Sequence, residues 1–114
     1  MATVNITVAN DADFFRSFLY RTLSGEPIDL TGAAFVMKAR RHAQDATAFL
    51  TLSTDTGEID IADGPGGSFT VLITRERLLE MTIGPYDQSL VMTLNGVKQQ
   101  LWSGVLTVNP GPSR

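Results

Sequence analysis

The chain contains no cysteine, which excludes a disulfide framework, thiolate-bound zinc and thiol catalysis. A reducing cytosol permits such a composition without requiring it, so the absence assigns no compartment. Histidine is nearly as scarce. His42 is the single one in 114 residues, and a lone imidazole has no second histidine or oriented nucleophile with which to build a triad. Charge is thin too: charged residues make up 18% of the chain and the formal net charge is −3. The basic footprint of non-specific nucleic-acid binding is therefore missing, and neither DNA nor RNA is an expected partner. No apolar block is long enough to span a bilayer, and the opening "MATVNITVAN" alternates without an early Lys or Arg. Neither a signal peptide nor membrane association is expected, and the product is read as soluble and made in a cytoplasm. Low-complexity tracts and solenoid-type repeats are absent as well.

What the chain does have is alternation of period two, which arises because successive strand side chains point to opposite faces of a sheet. Ala2, Val4, Ile6 and Val8 form the first such set. Phe14, Phe18 and Tyr20 form the second, with Arg16 intruding in the same register; a bulge or an edge position that lets Arg16 reach water would accommodate it. Phe35, Met37 and Ala39 follow, then Ala48, Leu50 and Leu52, then Ile59 and Ile61, then Phe69, Val71 and Ile73. Tyr86, Leu90, Met92 and Leu94 lead through Asn95-Gly96, the strongest hairpin signal in the sequence, to Trp102, Gly104, Leu106 and Val108. Asp55 to Gly57 reads as another tight hairpin and "GPGG", Gly64 to Gly67, as the most flexible loop. Only "TRERLLEMT" leans helical, with Thr74 as cap and Leu78, Leu79 and Met81 on one side.

About seven or eight short strands, with turn signals roughly every 8 to 12 residues, predict an all-β fold: an antiparallel immunoglobulin-like β-sandwich with one short helix. The likeness to antibody domains is architectural, since their Cys–Trp–Cys hallmark is missing. Residues 1–108 form the expected sandwich domain. The "NPGPSR" segment, 109–114, is kept out of a ladder by two prolines and a glycine and is read as an extended C-terminal tail.

Five pieces in fixed order carry a family resemblance: "DADFFRSFLYRTLSGEPIDLTGAAFVMKAR", "LTLSTDTGEIDI", "GGSFTVLIT", "GPYDQSLVMTLNG" and "SGVLTVNPGPSR". Together they resemble the small β-sandwich structural proteins of tailed bacteriophages and prophages, similar to the N-terminal domain of baseplate upper proteins. The shared pattern is an aromatic-bearing strand, a glycine-containing turn, Pro-Ile/Val-Asp-Leu-Thr-Gly, and a strand of alternating large apolar residues. The chain departs from it at Arg16 and at Gln88, where an aromatic or apolar residue is usual. In "GEPIDLTG", Gly25 allows the turn, Pro27 withholds a donor, Asp29 suits an Asx-type turn, Ile28 and Leu30 can plug the open end of the sandwich, and Gly32 permits re-entry into the next strand. That motif is a corner, with nothing in it that acts on a substrate. The resemblance implies a non-enzymatic virion component of tail, baseplate or neck, made in the bacterial host cytoplasm, whose partners are other virion proteins and further copies of itself.

Candidate chemistry is sparse. His42 follows Lys38, Arg40 and Arg41 and reads as a solvated strand end. Asp55, Glu58, Asp60 and Asp63 lack the glycine and spacing of a calcium loop, while Asp11 and Asp13 read as strand punctuation. "GPGG" lacks the Lys and Ser/Thr of a phosphate loop. No catalytic residue, metal ligand or cofactor site is assigned, and the chain is not expected to be an enzyme. Tyr20, Tyr86 and Trp102 could line a sugar-stacking platform, the basis of an alternative reading as a carbohydrate-binding module of a host-recognition device; their register places them with the core sets instead. The remaining signal is apolar residues in outward register: Phe15, Leu19, Val36, Phe49, Leu72 and Val91. Scattered, they are ordinary surface; clustered, they would form an assembly face.

Overall fold

Alternation becomes two stacked sheets in the computed structural model, which describes residues 2–21, 25–26, 28–42 and 48–112. In chain order the elements are β1 (Ala2–Thr3), β2 (Ile6–Ala9), β3 (Phe14–Leu19), β4 (Ala34–Arg40), β5 (Leu50–Ser53), β6 (Ile59–Asp63), β7 (Ser68–Ile73), α1 (Arg75–Glu80), β8 (Gly84–Leu94) and β9 (Val97–Asn109). The larger sheet has the order β1-β9-β8-β4-β5, with β2 continuing β1 along β9, and the smaller has the order β3-β7-β6. Taking β1 and β2 as one interrupted strand, eight strands and one short helix make up the all-β fold among the described residues. The orders match the G-F-C-C′ and B-E-D sheets of a variable-type immunoglobulin domain.

Two connections differ from the expected antiparallel pattern. The first strand runs parallel to β9, pairing Ala2 with Trp102 and Ile6 with Leu106; alternation is the same in either direction and carries no information on it. Asp55–Gly57 does not close a hairpin, because β5 lies in the larger sheet and β6 in the smaller. The turn at Thr54–Gly57, with Gly57 at φ 80, carries the chain across the sandwich. Asn95-Gly96 does join paired strands, with φ of 53 and 79, the doubly positive geometry of a type I′ turn.

The core lies between the inward sets. Phe35, Met37 and Ala39 of β4, Leu50 and Leu52 of β5, Tyr86, Leu90 and Met92 of β8, and Leu106 and Val108 of β9 face Phe69, Val71 and Ile73 of β7 and Ile59 of β6, all buried. Phe69 is the central contact. Its ring stacks at 4.8 Å on Phe35, 5.5 Å on Phe18 and 6.0 Å on Trp102, so one side chain of the smaller sheet meets both β4 and β9. Arg16 shares β3's inward register yet stays exposed because β3 is an edge strand. Its guanidinium lies 5.1 Å from the Phe18 ring centroid. The register of β3 on β7 is unbroken, so the edge position accommodates Arg16 without a bulge.

Helix α1 is capped by the Thr74 side chain, which accepts the Arg77 N–H, and Asp13 accepts the N–H of Arg75. Leu78 and Met81 are buried, but Leu79 is exposed rather than sharing their side. The strand that follows is fixed at its start by Tyr86, whose hydroxyl donates to the Thr82 carbonyl at 2.8 Å, the tyrosine-corner contact of immunoglobulin-type sandwiches. Arg41 covers the same ring at 4.9 Å and donates to the Pro85 carbonyl.

The corner behaves as its residues require. Asp29 accepts the Thr31 N–H at 2.9 Å, Leu30 is fully buried and Ile28 half-buried, and Gly25 and Gly32 adopt φ of 90 and 80; Pro27 lies outside the described residues. Hydrogen bonds from Thr31 hold the Asp29 carboxyl below its usual range. With its folded-state value lowered, its stabilisation is present above the ordinary carboxylate range and is lost as acid protonates it. "GPGG" is tied down rather than loose: Leu30 N–H donates to Gly64 O, Tyr20 N–H to Gly67 O, and Gly66 N–H to Asp63. Asn109 closes β9, and Gly111 donates to Asn10 Oδ1 at 2.8 Å; Ser113 and Arg114 lie outside the described residues.

A polar thread crosses this apolar interior. Trp102 Nε1–H donates to Gln88 Oε1 at 2.8 Å, and Gln88 Nε2 donates to the Val4 carbonyl at 2.6 Å. Gln88 pairs directly with Gly104 on β9, and a Cβ at Gly104 would collide with the Val4 carbonyl behind it. Asn5 Oδ1 accepts the Val105 N–H at 3.0 Å. Among the described residues no buried side-chain nitrogen or oxygen lacks a partner. Replacing Phe69 by Ala should cost about 3 to 5 kcal/mol in denaturant unfolding. Gly104→Ala should speed hydrogen exchange at Ile6, Thr7, Val8 and Ala9 well before it affects amides of β7, as the first strand is prised from β9; equal acceleration everywhere would contradict this.

Candidate assembly surfaces

The six outward apolar residues do not share one face. Phe15 and Leu72 stand directly opposite each other on the outer face of the smaller sheet, with Leu19 further along the same face of β3. Val36 and Val91 are likewise paired, but on the outer face of the larger sheet. Phe49 precedes β5 and belongs to neither face; its N–H donates to the Ala39 carbonyl and its ring meets Tyr86 edge-on at 5.4 Å. Phe15 is 65% exposed, Leu19 58% and Phe49 54%, whereas Leu72 and Val91 are half-buried.

The alternation did not reveal a second apolar surface beside Leu19. A groove of about 370 Å³ opens at the seam between the sheets, lined by Val4, Phe18, Leu19, Tyr20, Leu101 and Trp102 among others. Beside it β9 carries a bulge: Leu90 pairs with Trp102 while Val91 pairs with Gln100, leaving Leu101 as the extra residue. A bulge re-aims side chains locally, here bringing Leu101 beside Trp102. The adjacent apolar pair in "QQLW" is the one sequence sign of it. With Phe15, Leu72 and Leu19, this groove gives the β3 side of the sandwich one set of accessible apolar side chains; Val36, Phe49, Leu79, Ile83, Val97 and Val105 are exposed elsewhere.

Other candidates resolve into structural roles. Tyr86 and Trp102 are buried and their polar atoms are committed internally, so with only Tyr20 partly exposed the three form no sugar-stacking platform. Glu58 pairs with Arg77 at 2.9 Å, Asp63 accepts from Gly66, and Asp60 lies on an exposed strand position. Among the described residues no three Asp, Glu or His side chains come together as a metal site would need. His42 is exposed just beyond β4, and no described helix is long and apolar enough to cross a membrane.

Sheet orders, tyrosine corner and stacked core define an immunoglobulin-like β-sandwich whose accessible apolar residues sit on its surface and seam. No family model matches the sequence, and no curated protein matches it significantly. Among solved structures the chain is similar to the N-terminal domain of phage TP901-1 ORF48, with 11% identity over 93% of this chain and 85% of that one and a TM-score of 0.53. It is also matched to a structure of the ZIG-8–RIG-5 IG1-IG1 heterodimer at 7% identity, over 95% of this chain and 83% of that one, with a TM-score of 0.49. The first likeness shows a fold shared with a domain of a phage protein.

Exposure predicts how substitutions divide. Phe15→Ser and Leu19→Ser should each change unfolding free energy by no more than about 0.5 kcal/mol. Phe18→Ser, which removes a ring packed on both Phe69 and Trp102, should cost about 3 kcal/mol or more; chemical denaturation of the three variants compares them directly.

Proposed function

We propose that the chain is a non-enzymatic structural protein of a tailed phage or prophage virion, a tail, baseplate or neck component that works through contacts with other virion proteins. The observation that carries this reading is the fold shared over nearly the whole chain with the N-terminal domain of a phage protein, together with the exposed Phe15 and Leu19 of β3 beside the seam groove. A rigid sandwich suits that task. Its core and polar thread fix the loops and faces in advance, so association has little conformational entropy to overcome. Exposed Phe15 and Leu19 are apolar anchors of the kind that become buried at the centre of an interface.

The test is to purify particles from a host strain carrying the gene and to label them with gold-conjugated antibody against the chain. Gold is expected at a fixed position on the tail, baseplate or neck, and particles assembled with the Phe15→Asp, Leu19→Asp double variant should lack it although that variant folds. Particles that never contain the chain, while the chain accumulates free in the lysate, would overturn the reading.

A further inference from the structure

The outer face of the larger sheet carries a feature that the assembly reading does not use. Cross-strand pairing aligns Lys38 of β4 with Ser89 of β8, Ser89 with Ser103 of β9, and Ser103 with Thr3 of β1. Four side chains on four adjacent strands thus form one row, three of them hydroxyls and the last an ammonium. The next row sets Arg40 opposite Asp87 and Asp87 opposite Val105. On the other side of the hydroxyl row stands Gln100, which pairs with Val91. Small side chains along the middle and longer ones to either side leave a trough of about 550 Å³, which also takes in Asn5.

From this geometry we infer that the trough is a binding site for a carboxylate-bearing oligosaccharide. Each feature of the row bears on that ligand class. Serine and threonine hydroxyls both donate and accept, so they can exchange hydrogen bonds with a polyhydroxylated ligand in either sense. Neighbouring strands lie about 4.8 Å apart, so the row presents polar groups at intervals similar to the length of one sugar ring, across the strands rather than along them. The backbone here is already committed to the sheet: β8 pairs on one side with β4 and on the other with β9. Over Ser89 and Ser103 an extended peptide therefore has no free edge to join, since the sheet's edge lies beyond them at β1, and side chains there are left to do the recognising.

Charge selects within that class. Lys38 and Arg40 against Asp87 leave the trough with a cationic excess in a chain whose net charge is −3. Lys38 is exposed at the end of the hydroxyl row, placed to meet a carboxylate on a ligand whose hydroxyls lie over Ser89, Ser103 and Thr3. This site shares no residue with the β3 surface, so its failure would leave the assembly reading standing, and failure of the assembly reading would leave this site untouched.

Titration of the full chain with tetragalacturonate, followed by amide chemical shifts, tests it, with a neutral glucose tetrasaccharide, inorganic phosphate and a tetraglutamate peptide as comparison ligands. Saturable shifts confined to residues around Lys38, Ser89, Ser103 and Thr3 are expected with tetragalacturonate, and binding should weaken about tenfold in Lys38→Gln, the loss of one charge-assisted hydrogen bond. A Ser89→Ala, Ser103→Ala double variant should also weaken tetragalacturonate while leaving any response to phosphate unchanged. Absence of saturation up to roughly 10 mM would overturn the inference. So would equal affinity for tetraglutamate, or binding indifferent to Lys38→Gln in a variant whose spectrum shows it folded.

Discussion

A tryptophan ring packed among phenylalanines must still find a partner for its indole N–H, and in this chain that requirement organises the sandwich. The solution is Gln88, whose carbonyl takes the indole proton and whose amide reaches over Gly104 to the Val4 carbonyl. An unpaired indole at this depth would cost on the order of 1 to 3 kcal/mol. The same pair of hydrogen bonds ties three strands together: β8 through Gln88, β9 through Trp102, and the first strand through Val4. Gln88 lies two residues after the corner tyrosine, the place where antibody domains carry the second cysteine of their inter-sheet disulfide. A chain without cysteine fills that position with an amide and fastens the first strand where an antibody domain joins its sheets.

Much of this was legible in the sequence and some of it was not, for physical reasons. Alternation located the inward sets of β4, β7, β8 and β9, because a half-buried strand must segregate its side chains by face. It could not reveal which sheet a strand joins. β5 and β6 read as a hairpin across Asp55–Gly57, yet the same glycine turn serves equally to cross between layers. Nor could it distinguish parallel from antiparallel pairing for the first strand. Gln88 was visible as a departure from an apolar pattern, but its partners are separated from it by 14 and 84 residues and no local signal connects them. Of the outward apolar residues, Phe15, Leu19 and Leu72 lie on one sheet, Val36 and Val91 on the other and Phe49 on neither face; that division depended on the same layer assignment. The seam groove was hidden because a bulge breaks the alternation that would have disclosed it.

The surfaces fit a sandwich that avoids indiscriminate sheet growth. The two edges of the smaller sheet are β3, with the charged Arg16 in its inward register, and β6, with an irregularity between Ile61 and Asp63. Charges in inward register and bulges both discourage strand-to-strand addition. Part of the accessible apolar surface, Phe15 and Leu19 with the seam groove, lies on the β3 side, where an association can be shaped by side chains. The opposite outer face carries the trough floored by small hydroxyls, with Val36 and Val105 exposed on the same face. One scaffold thereby presents two distinct surfaces on separate sides, both held by the same interior.

The account rests most heavily on the hydrogen bond between Trp102 and Gln88. Native-state hydrogen exchange of the Trp102 indole proton, compared between the natural chain and Gln88→Leu, measures it directly. The account predicts that this proton exchanges only on global unfolding in the natural chain, and much faster in the variant even at denaturant concentrations that leave both folded. An indole proton that exchanges freely in the natural chain, or equally slowly in both, would contradict it.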